Sequence, residues 1–192
     1  DMIAASAGNY YEGLTQAEVE KFYNKMIDPK DPRPISYGLN SKLVKKNGKI
    51  YEQTYKIGGM YSEALEQVVY WLEKAETVAE EPLKTTIGLL IKYYKSGDLK
   101  DFDAFNISWV QDTQSNIDFV NGFTETYGDP LGFKASWESV VNFIDKAACA
   151  RTQIISDNAQ WFEDNAPIKP EYRKPVDKGV SAKVITVAML GG

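Results

Sequence analysis

The chain has 192 residues, enough for one domain with a hydrophobic core or for two small domains. Its net charge is -5 and its longest basic run, at residues 45–49, is short, which excludes a nucleic-acid-binding face. The sequence has no histidine and one cysteine, so the usual zinc ligands and histidine bases are missing. No apolar run reaches the roughly 18 residues of a membrane span. We expect a cytoplasmic protein, cut at both ends from a longer chain.

The first 60 residues predict a helix, a stiff loop and a hairpin. Thr15 and Glu18 have the spacing of a capping box, so a helix should start there and run to about Ile27. Three prolines follow at positions 29, 32 and 34 and indicate a rigid loop. Asn47-Gly48 between two apolar segments predicts a β-hairpin with a type I′ turn.

The next segment, at residues 61–166, predicts helices. Apolar residues recur at helical spacing from Ser62, and another helix should follow Pro82 and end at Gly97. We predict a further helix that begins at residues 115–118 and contains Phe119 and Phe123. The longest predicted helix is capped by Ser136 and ends before residue 167.

The last segment, at residues 167–192, predicts an extended connection at 167–178 and a strand at 180–190, where β-branched residues alternate with others. The fold class predicted is mainly α with minor β (α+β). It combines a helical bundle-like region with a short hairpin and a C-terminal strand belonging to a β-core. That strand would present an unpaired edge and favour self-association of the chain.

Glu125 and Tyr127 lie two residues apart before a Gly-Asp-Pro turn and are the main candidate for chemistry. They could be a solvated glutamate and a core tyrosine at a helix end. Alternatively, the carboxylate holds a cation and the phenol donates to a developing oxyanion. Trp109 could equally be a cleft wall or part of the core. Cys149 lies among alanines, which favours a small helical core position over a reactive thiol.

Paired carboxylates offer a second kind of site. Asp112 with Asp118, or Glu163 with Asp164, could suggest the acid and base of a glycosidase. A chain with 27 acidic residues contains such pairs by chance, so the pairs alone do not indicate a glycosidase.

Several short motifs in order resemble the dipeptidyl peptidase III family of zinc metallopeptidases, in its bacterial form. The Glu-Thr-Tyr-Gly-Asp-Pro-Leu-Gly run at 125–132 is the most specific. Others are Trp-Val-Gln-Asp at 109–112, Phe-Val-Asn-Gly-Phe at 119–123, Asn-Ala-Gln-Trp-Phe-Glu-Asp at 158–164 and Gly-Val-Ser-Ala-Lys-Val-Ile at 179–185. Two more, Tyr-Tyr-Glu-Gly at 10–13 and Ser-Tyr-Gly-Leu-Asn at 36–40, lie upstream, so the similarity covers essentially the whole chain.

The resemblance implies a central fragment of a two-lobed enzyme that releases dipeptides from the N-terminus of short peptides. The family's zinc motifs, His-Glu-x-x-x-His and Glu-Glu-x-x-x-Asp, are absent here, so zinc would bind in the full-length enzyme and not in this fragment, which should be inactive alone. Glu125 matches the carboxylate that binds the peptide ammonium, and Tyr127 matches the tyrosine that donates to the oxyanion. Thr124 stands where the family has an aliphatic subsite residue, and Trp109 belongs to the matched motifs.

The expected partners are short peptides and the remainder of its own polypeptide, with no nucleic acid and no membrane. The alternative function is a non-catalytic helical scaffold or protein-interaction module.

Overall fold

The computed structural model describes residues 1–179 and 184–191. The described residues fall into two compact units. The first contains residues 1–115 and 121–138, and the second contains residues 116–120 and 139–191.

The first unit opens with α1 (Met2–Ala5), β1 (Tyr11–Glu12) and α2 (Gln16–Asn24). The predicted capping box is confirmed: the Thr15 side chain accepts from the Glu18 backbone, and Glu18 Oε2 accepts from the Thr15 backbone N–H at 3.0 Å. Helix α2 ends at Asn24, three residues before the predicted end at Ile27.

The predicted hairpin is confirmed as β2 (Ser41–Lys46) and β3 (Lys49–Thr54). Asn47 and Gly48 both have positive φ, at 53° and 75°, as a type I′ turn requires. Strand β1 pairs with β2 in parallel, which gives a three-stranded sheet in the order β1-β2-β3. Val19 and Tyr23 of α2 pack with Leu43 of β2 in a fully buried cluster.

Three helices follow in the first unit: α3 (Ser62–Val78), α4 (Leu83–Ser96) and α5 (Leu99–Gln111). Gly97 ends α4 with a φ of 70°, and Asp98 caps α5 by accepting from the Lys100 backbone. These boundaries confirm the predictions from Ser62 to Gly97. The helices bury a largely aromatic and aliphatic set: Leu65, Val69, Ile87, Leu90, Tyr93, Tyr94, Phe102 and Phe105.

The prediction of helices beginning at residue 115 and at Ser136 is wrong. Both segments are strands, β4 (Ile117–Glu125) and β5 (Ser136–Ile144). The apolar spacing of four residues caused the error: Phe119 and Phe123 are four apart, and so are Val140 and Ile144. Four residues make about one helical turn but also two strand repeats, so this spacing fits both periods.

After β5 the chain forms α6 (Lys146–Asp157) and α7 (Ala159–Asp164), then a short 3₁₀ turn at Pro170–Tyr172. Asp145 caps α6 by accepting from the Ala148 backbone at 2.8 Å. The single long helix predicted from Ser136 is therefore one strand and two helices. Cys149 is half-buried on α6, and its sulfur accepts from the Val184 backbone at 3.1 Å.

Strand β6 (Ile185–Gly191) pairs antiparallel with β5, and the second sheet has the order β4-β5-β6. The predicted strand at 180–190 is confirmed over this range, while residues 180–183 lie outside the described part. Helices and two small sheets confirm the α+β class. The segment boundaries at residues 60 and 166 stay predictions. No helix within the described residues is long and apolar enough to cross a bilayer.

Candidate functional site

Glu125 is the last residue of β4, and Tyr127 follows in the segment that connects β4 to β5. The backbone at Glu125 is therefore extended, and the prediction of a helix end is wrong. Tyr127 is 86% exposed, so the interpretation of this phenol as a core side chain is also wrong. Glu125 and Thr124 are half-buried. The segment thus offers its phenol to solvent two residues after a partly sheltered carboxylate.

Glu125 lies beside a second acidic residue, Glu138 of β5. The negative charge of Glu138 is the main cause that raises the pKa of Glu125, and partial burial and a hydrogen bond between the two side chains add to it. The Thr124 hydroxyl donates to Glu138 Oε1 at 2.9 Å. Two carboxylates this close repel each other and are stabilised by a cation placed between them. The pair is thus suited to a bound cation.

The turn after Tyr127 is organised by Asp129, which is 6% exposed. Its carboxylate accepts from the backbone N–H groups of Leu131, Phe133 and Lys134 at 3.2, 2.8 and 2.9 Å. The Tyr11 hydroxyl donates to the same carboxylate at 2.6 Å. The predicted Gly-Asp-Pro turn is present, and one buried carboxylate fixes its conformation.

Lys134, at the end of this turn, is completely buried. Its ammonium donates to the hydroxyls of Tyr23 and Ser41, the latter at 2.8 Å, and lies 3.7 Å from Glu52 Oε1. Glu52 Oε1 also accepts from Tyr23 at 2.7 Å and from Ser41 at 2.6 Å. Burial lowers the pKa of Lys134 to about 8, although Glu52 and Asp129 oppose this shift. The segment is therefore held at both Asp129 and Lys134.

A cavity of about 530 Å³ opens in the first unit beside this segment. Its lining residues are Asn9, Tyr10, Tyr55, Tyr61, Ala64, Leu65, Val68, Phe123, Ala135, Ser136 and Trp137. Ser136 donates its hydroxyl to the Glu125 backbone carbonyl at 3.3 Å. Burial raises the pKa of Tyr10, which hydrogen-bonds Ser136, and the neighbouring Tyr127 adds to the rise. The cavity therefore adjoins the end of β4 at Glu125, and its lining residue Tyr10 is close enough to Tyr127 for the two phenols to interact electrostatically.

Residues 35–178, well over half of the chain, match the family model of peptidase family M49. The chain belongs to peptidase family M49.

Among relatives of this M49 chain, Nudix hydrolase 3 of Arabidopsis thaliana is 30% identical over 151 residues, which cover 78% of the chain and 18% of that protein. Dipeptidyl peptidase 3 of Dictyostelium discoideum is 27% identical over 206 residues, covering 95% of the chain and 29% of that protein. The chain thus spans less than a third of either relative.

The solved structure of DPP III from Caldithrix abyssi aligns with 96% of this chain and 34% of its own, with a TM-score of 0.77 and 23% identity. At this identity, the likeness shows that the fold is shared.

The other candidates in this part of the chain lie on α5, directly after it and on β4. Trp109 is half-buried on α5 and is not among the residues that line the cavity. Asp112 Oδ1 accepts from the Gln114 and Ser115 backbones at 3.0 Å each, and Asp118 Oδ1 accepts from the Phe119 backbone at 3.0 Å.

The second carboxylate pair is engaged in the same way. Glu163 Oε1 accepts from the Lys174 backbone at 2.6 Å, and Asp164 Oδ1 accepts from Gln160 at 2.8 Å. These local hydrogen bonds give each of the four carboxylates a structural role and do not favour the glycosidase hypothesis.

The residues of this M49 chain do not fit a zinc site. Zinc in proteins is held mostly by histidine and cysteine, and the sequence supplies no histidine and one cysteine. Within residues 1–179 and 184–191, no group of three or more His, Cys, Asp or Glu side chains could hold a metal ion.

Sequence reasoning missed Glu138, Asp129 and Lys134. Glu138 is separated from Glu125 by a turn, and only the pairing of two strands, predicted as helices, brings them together. The Gly-Asp-Pro pattern marks Asp129 as a turn residue but does not indicate its burial. Nothing local marks Lys134 as buried, although its position between Phe133 and Ala135 in an apolar stretch is a weak signal.

Proposed function

We propose that this M49 chain is the part of a dipeptidyl peptidase that binds the N-terminal end of a short peptide. The observation that carries the proposal is an exposed phenol, Tyr127, two residues after Glu125, on a segment held by the buried Asp129 and Lys134. The name of the Dictyostelium relative, dipeptidyl peptidase 3, supports the same activity.

Glu125 is the proposed acceptor of the peptide's terminal ammonium. An α-amino group has a pKa of about 7.7–8.0, so a peptide carries this charge at neutral pH. The Glu125–Glu138 pair supplies negative charge at one end of the site, and the ammonium relieves the repulsion that raises the Glu125 pKa. A carboxylate that needs a free ammonium limits the enzyme to the ends of peptides. Thr124, whose hydroxyl holds Glu138, and Trp109 complete the proposed substrate-binding residues.

Tyr127 is the proposed donor to the oxygen of the scissile carbonyl. That oxygen becomes negatively charged when water adds to the carbon, so a hydrogen bond from the phenol strengthens in the transition state. The segment that carries the phenol is already ordered, because the Asp129 carboxylate accepts hydrogen bonds from three backbone N–H groups. The phenol can therefore donate without a conformational change of the segment. Preorganised donors of this kind contribute roughly 2.7–4 kcal/mol to the chemical step.

Zinc in the intact protein is part of this proposal, with ligands from polypeptide outside these residues; this chain alone is then inactive. Its partners are short peptides and the remainder of its own polypeptide. The cytoplasmic location stays a prediction.

The test uses the intact protein and matched peptides with free or acetylated N-termini. Glu125→Gln should weaken the cleavage of free-amine peptides and should leave the already slow acetylated ones unchanged. Tyr127→Phe should lower kcat by about 10²–10³ with a small change in KM. Tyr172→Phe, at another exposed tyrosine, is the control.

If Glu125→Gln affects both peptide classes alike and Tyr127→Phe leaves kcat unchanged, the assignment is wrong. An intact protein that cleaves no peptide would favour the alternative, a helical scaffold or interaction module.

A further inference from the structure

The cavity beside Glu125 has the shape and chemistry of a side-chain subsite. Its volume of about 530 Å³ falls within the range of roughly 300–1,000 Å³ that is typical of small-ligand pockets. None of its lining residues carries a charged side chain. The cavity therefore favours an uncharged, apolar group.

The deep wall of the cavity is aromatic and aliphatic. Tyr55, Leu65, Phe123 and Ala135 are each no more than 4% exposed. The Tyr55 ring lies with its centroid 4.8 Å from Phe123 and 5.0 Å from Tyr61. Aromatic rings attract each other at centroid distances of about 4.5–7 Å, so an entering phenyl or phenol ring would find partners already in place.

The mouth of the cavity is close to the proposed ammonium site. Phe123 lines the cavity, and Glu125 follows it by two residues on β4, about 7 Å further along the strand. Ser136 lines the cavity and donates to the Glu125 carbonyl at 3.3 Å. The ammonium and the side chain of a peptide's first residue branch from one Cα, and a bulky side chain spans this distance.

We propose that this cavity binds the side chain of the peptide's N-terminal residue and selects a bulky apolar or aromatic one. The inference rests on the proposed function, because it places the peptide by its ammonium on Glu125. The binding of an ammonium by Glu125 does not depend on the side chain of the first residue. The cavity adds a preference for that side chain.

The test compares, in the intact protein, substrates that differ only in the N-terminal residue: phenylalanine, leucine, alanine or arginine. We expect kcat/KM to favour phenylalanine and leucine over alanine by about tenfold or more, as buried methylene groups do in apolar pockets. Ala64→Trp should fill the cavity from α3 and abolish this preference, because KM should rise more for the bulky substrates than for the alanine substrate.

Ala75→Trp is the matched control, since Ala75 is exposed on the same helix and does not line the cavity. It should leave the phenylalanine-to-alanine ratio unchanged. If Ala64→Trp fails to fold, Val68→Ala gives a second measurement, because a larger cavity should shift the preference from phenylalanine towards 2-naphthylalanine.

The two levels of the proposal fail differently. If cleavage depends on Glu125 but Ala64→Trp leaves the ratio unchanged, the subsite is wrong and the proposed function stands. A wild-type preference for arginine, or a preference confined to the second residue, also overturns the subsite. A lowered melting temperature without changed selectivity shows that other polypeptide fills the cavity. If the intact protein releases no dipeptide, both proposals fall.

Discussion

The Tyr11 hydroxyl donates a 2.6 Å hydrogen bond to Asp129 Oδ2, which joins residues 118 positions apart in the chain. Tyr11 belongs to β1, and Asp129 shapes the turn that follows Tyr127. Burial is the main cause that raises the pKa of Tyr11, and the hydrogen bond and charge of Asp129 add to it. The phenol therefore stays protonated and holds the turn even in alkaline solution.

Tyr11→Phe should lower the free energy of unfolding by roughly 1.5–3 kcal/mol, because Asp129 loses a donor to a buried charge. Urea unfolding measures the change. The control is Tyr51→Phe on β3, where the side chain is 40% exposed, and it should change stability by no more than about 0.5 kcal/mol. If the two variants lose the same free energy of unfolding, the hydrogen bond from Tyr11 to Asp129 does not stabilise the protein more than an exposed tyrosine does.

In the wild type, the free energy of unfolding should rise with pH between about pH 8 and 9.5 because of Lys134. Lys134→Met should abolish this rise. Burial lowers the pKa of Lys134 to about 8 from an ordinary value of 10.5. Between these values the unfolded chain holds a proton that the folded chain has released, so this group makes stability rise with pH. The rise is roughly 1.5 kcal/mol from about pH 8 to about pH 9.5. Urea unfolding across this range should show the slope in the wild type only.

The range ends below pH 10 because of the buried tyrosines. Burial raises the pKa values of Tyr11 and Tyr23, so their contribution to stability is complete below the unfolded value of about 10 and falls progressively above it, as pH rises towards their folded pKa values. Lys84→Met, at an exposed lysine on α4, is the control and should keep the wild-type slope. A slope retained in Lys134→Met would contradict the prediction.

In the intact protein, peptide binding should weaken in acid when Glu125 becomes protonated. Glu138→Gln should shift this loss of binding to lower pH. The Glu138 charge is the main cause of the raised Glu125 pKa, so its removal lets Glu125 stay ionised in more acidic solution. The pH dependence of KM for a free-amine peptide measures the limit. Glu63→Gln, at an exposed glutamate on α3, should leave it in place. If the pH dependence of KM is the same in Glu138→Gln and the wild type, Glu125 is not the group that binds the peptide ammonium.

Gly97→Ala should destabilise the protein more than Gly48→Ala. Both glycines have positive φ, 70° and 75°, so both substitutions carry the left-handed cost of about 1–2 kcal/mol. A Cβ at Gly97 would also lie 2.8 Å from Lys56 Cδ and from Thr54 Cγ2, while one at Gly48 would meet nothing within 4 Å. We expect the extra crowding to add about 1–3 kcal/mol, measured by urea unfolding. Equal effects would mean that the neighbouring side chains move aside freely.

Local signals predicted the first half of the fold well. The capping box at Thr15 and the Asn47-Gly48 turn depend on residues within a few positions of each other, so sequence reasoning is sufficient there. The helix predictions for β4 and β5 were wrong. The spacing of four residues between Phe119 and Phe123, and between Val140 and Ile144, fits a helix and a strand equally well. In that region strand pairing decides the structure, and pairing depends on distant residues.

The candidate site divides in the same way. Glu125 and Tyr127 could be selected because they lie close together in a specific motif. Lys134 could not, because its partner Ser41 is 93 positions away and a lysine is ordinarily a surface residue. The acidic neighbour Glu138 likewise depended on which strand lies beside β4.

The complete burial of the Lys134 amine also provides a chemical reporter. Acylating reagents and trypsin both require an accessible lysine, so acylation of this amine, or cleavage after this residue, can occur only when the turn opens. Peptide mapping after timed exposure to an acylating reagent would therefore record how often the segment that carries Tyr127 detaches from the strands beneath it, with the exposed lysines in the same digest as an internal standard.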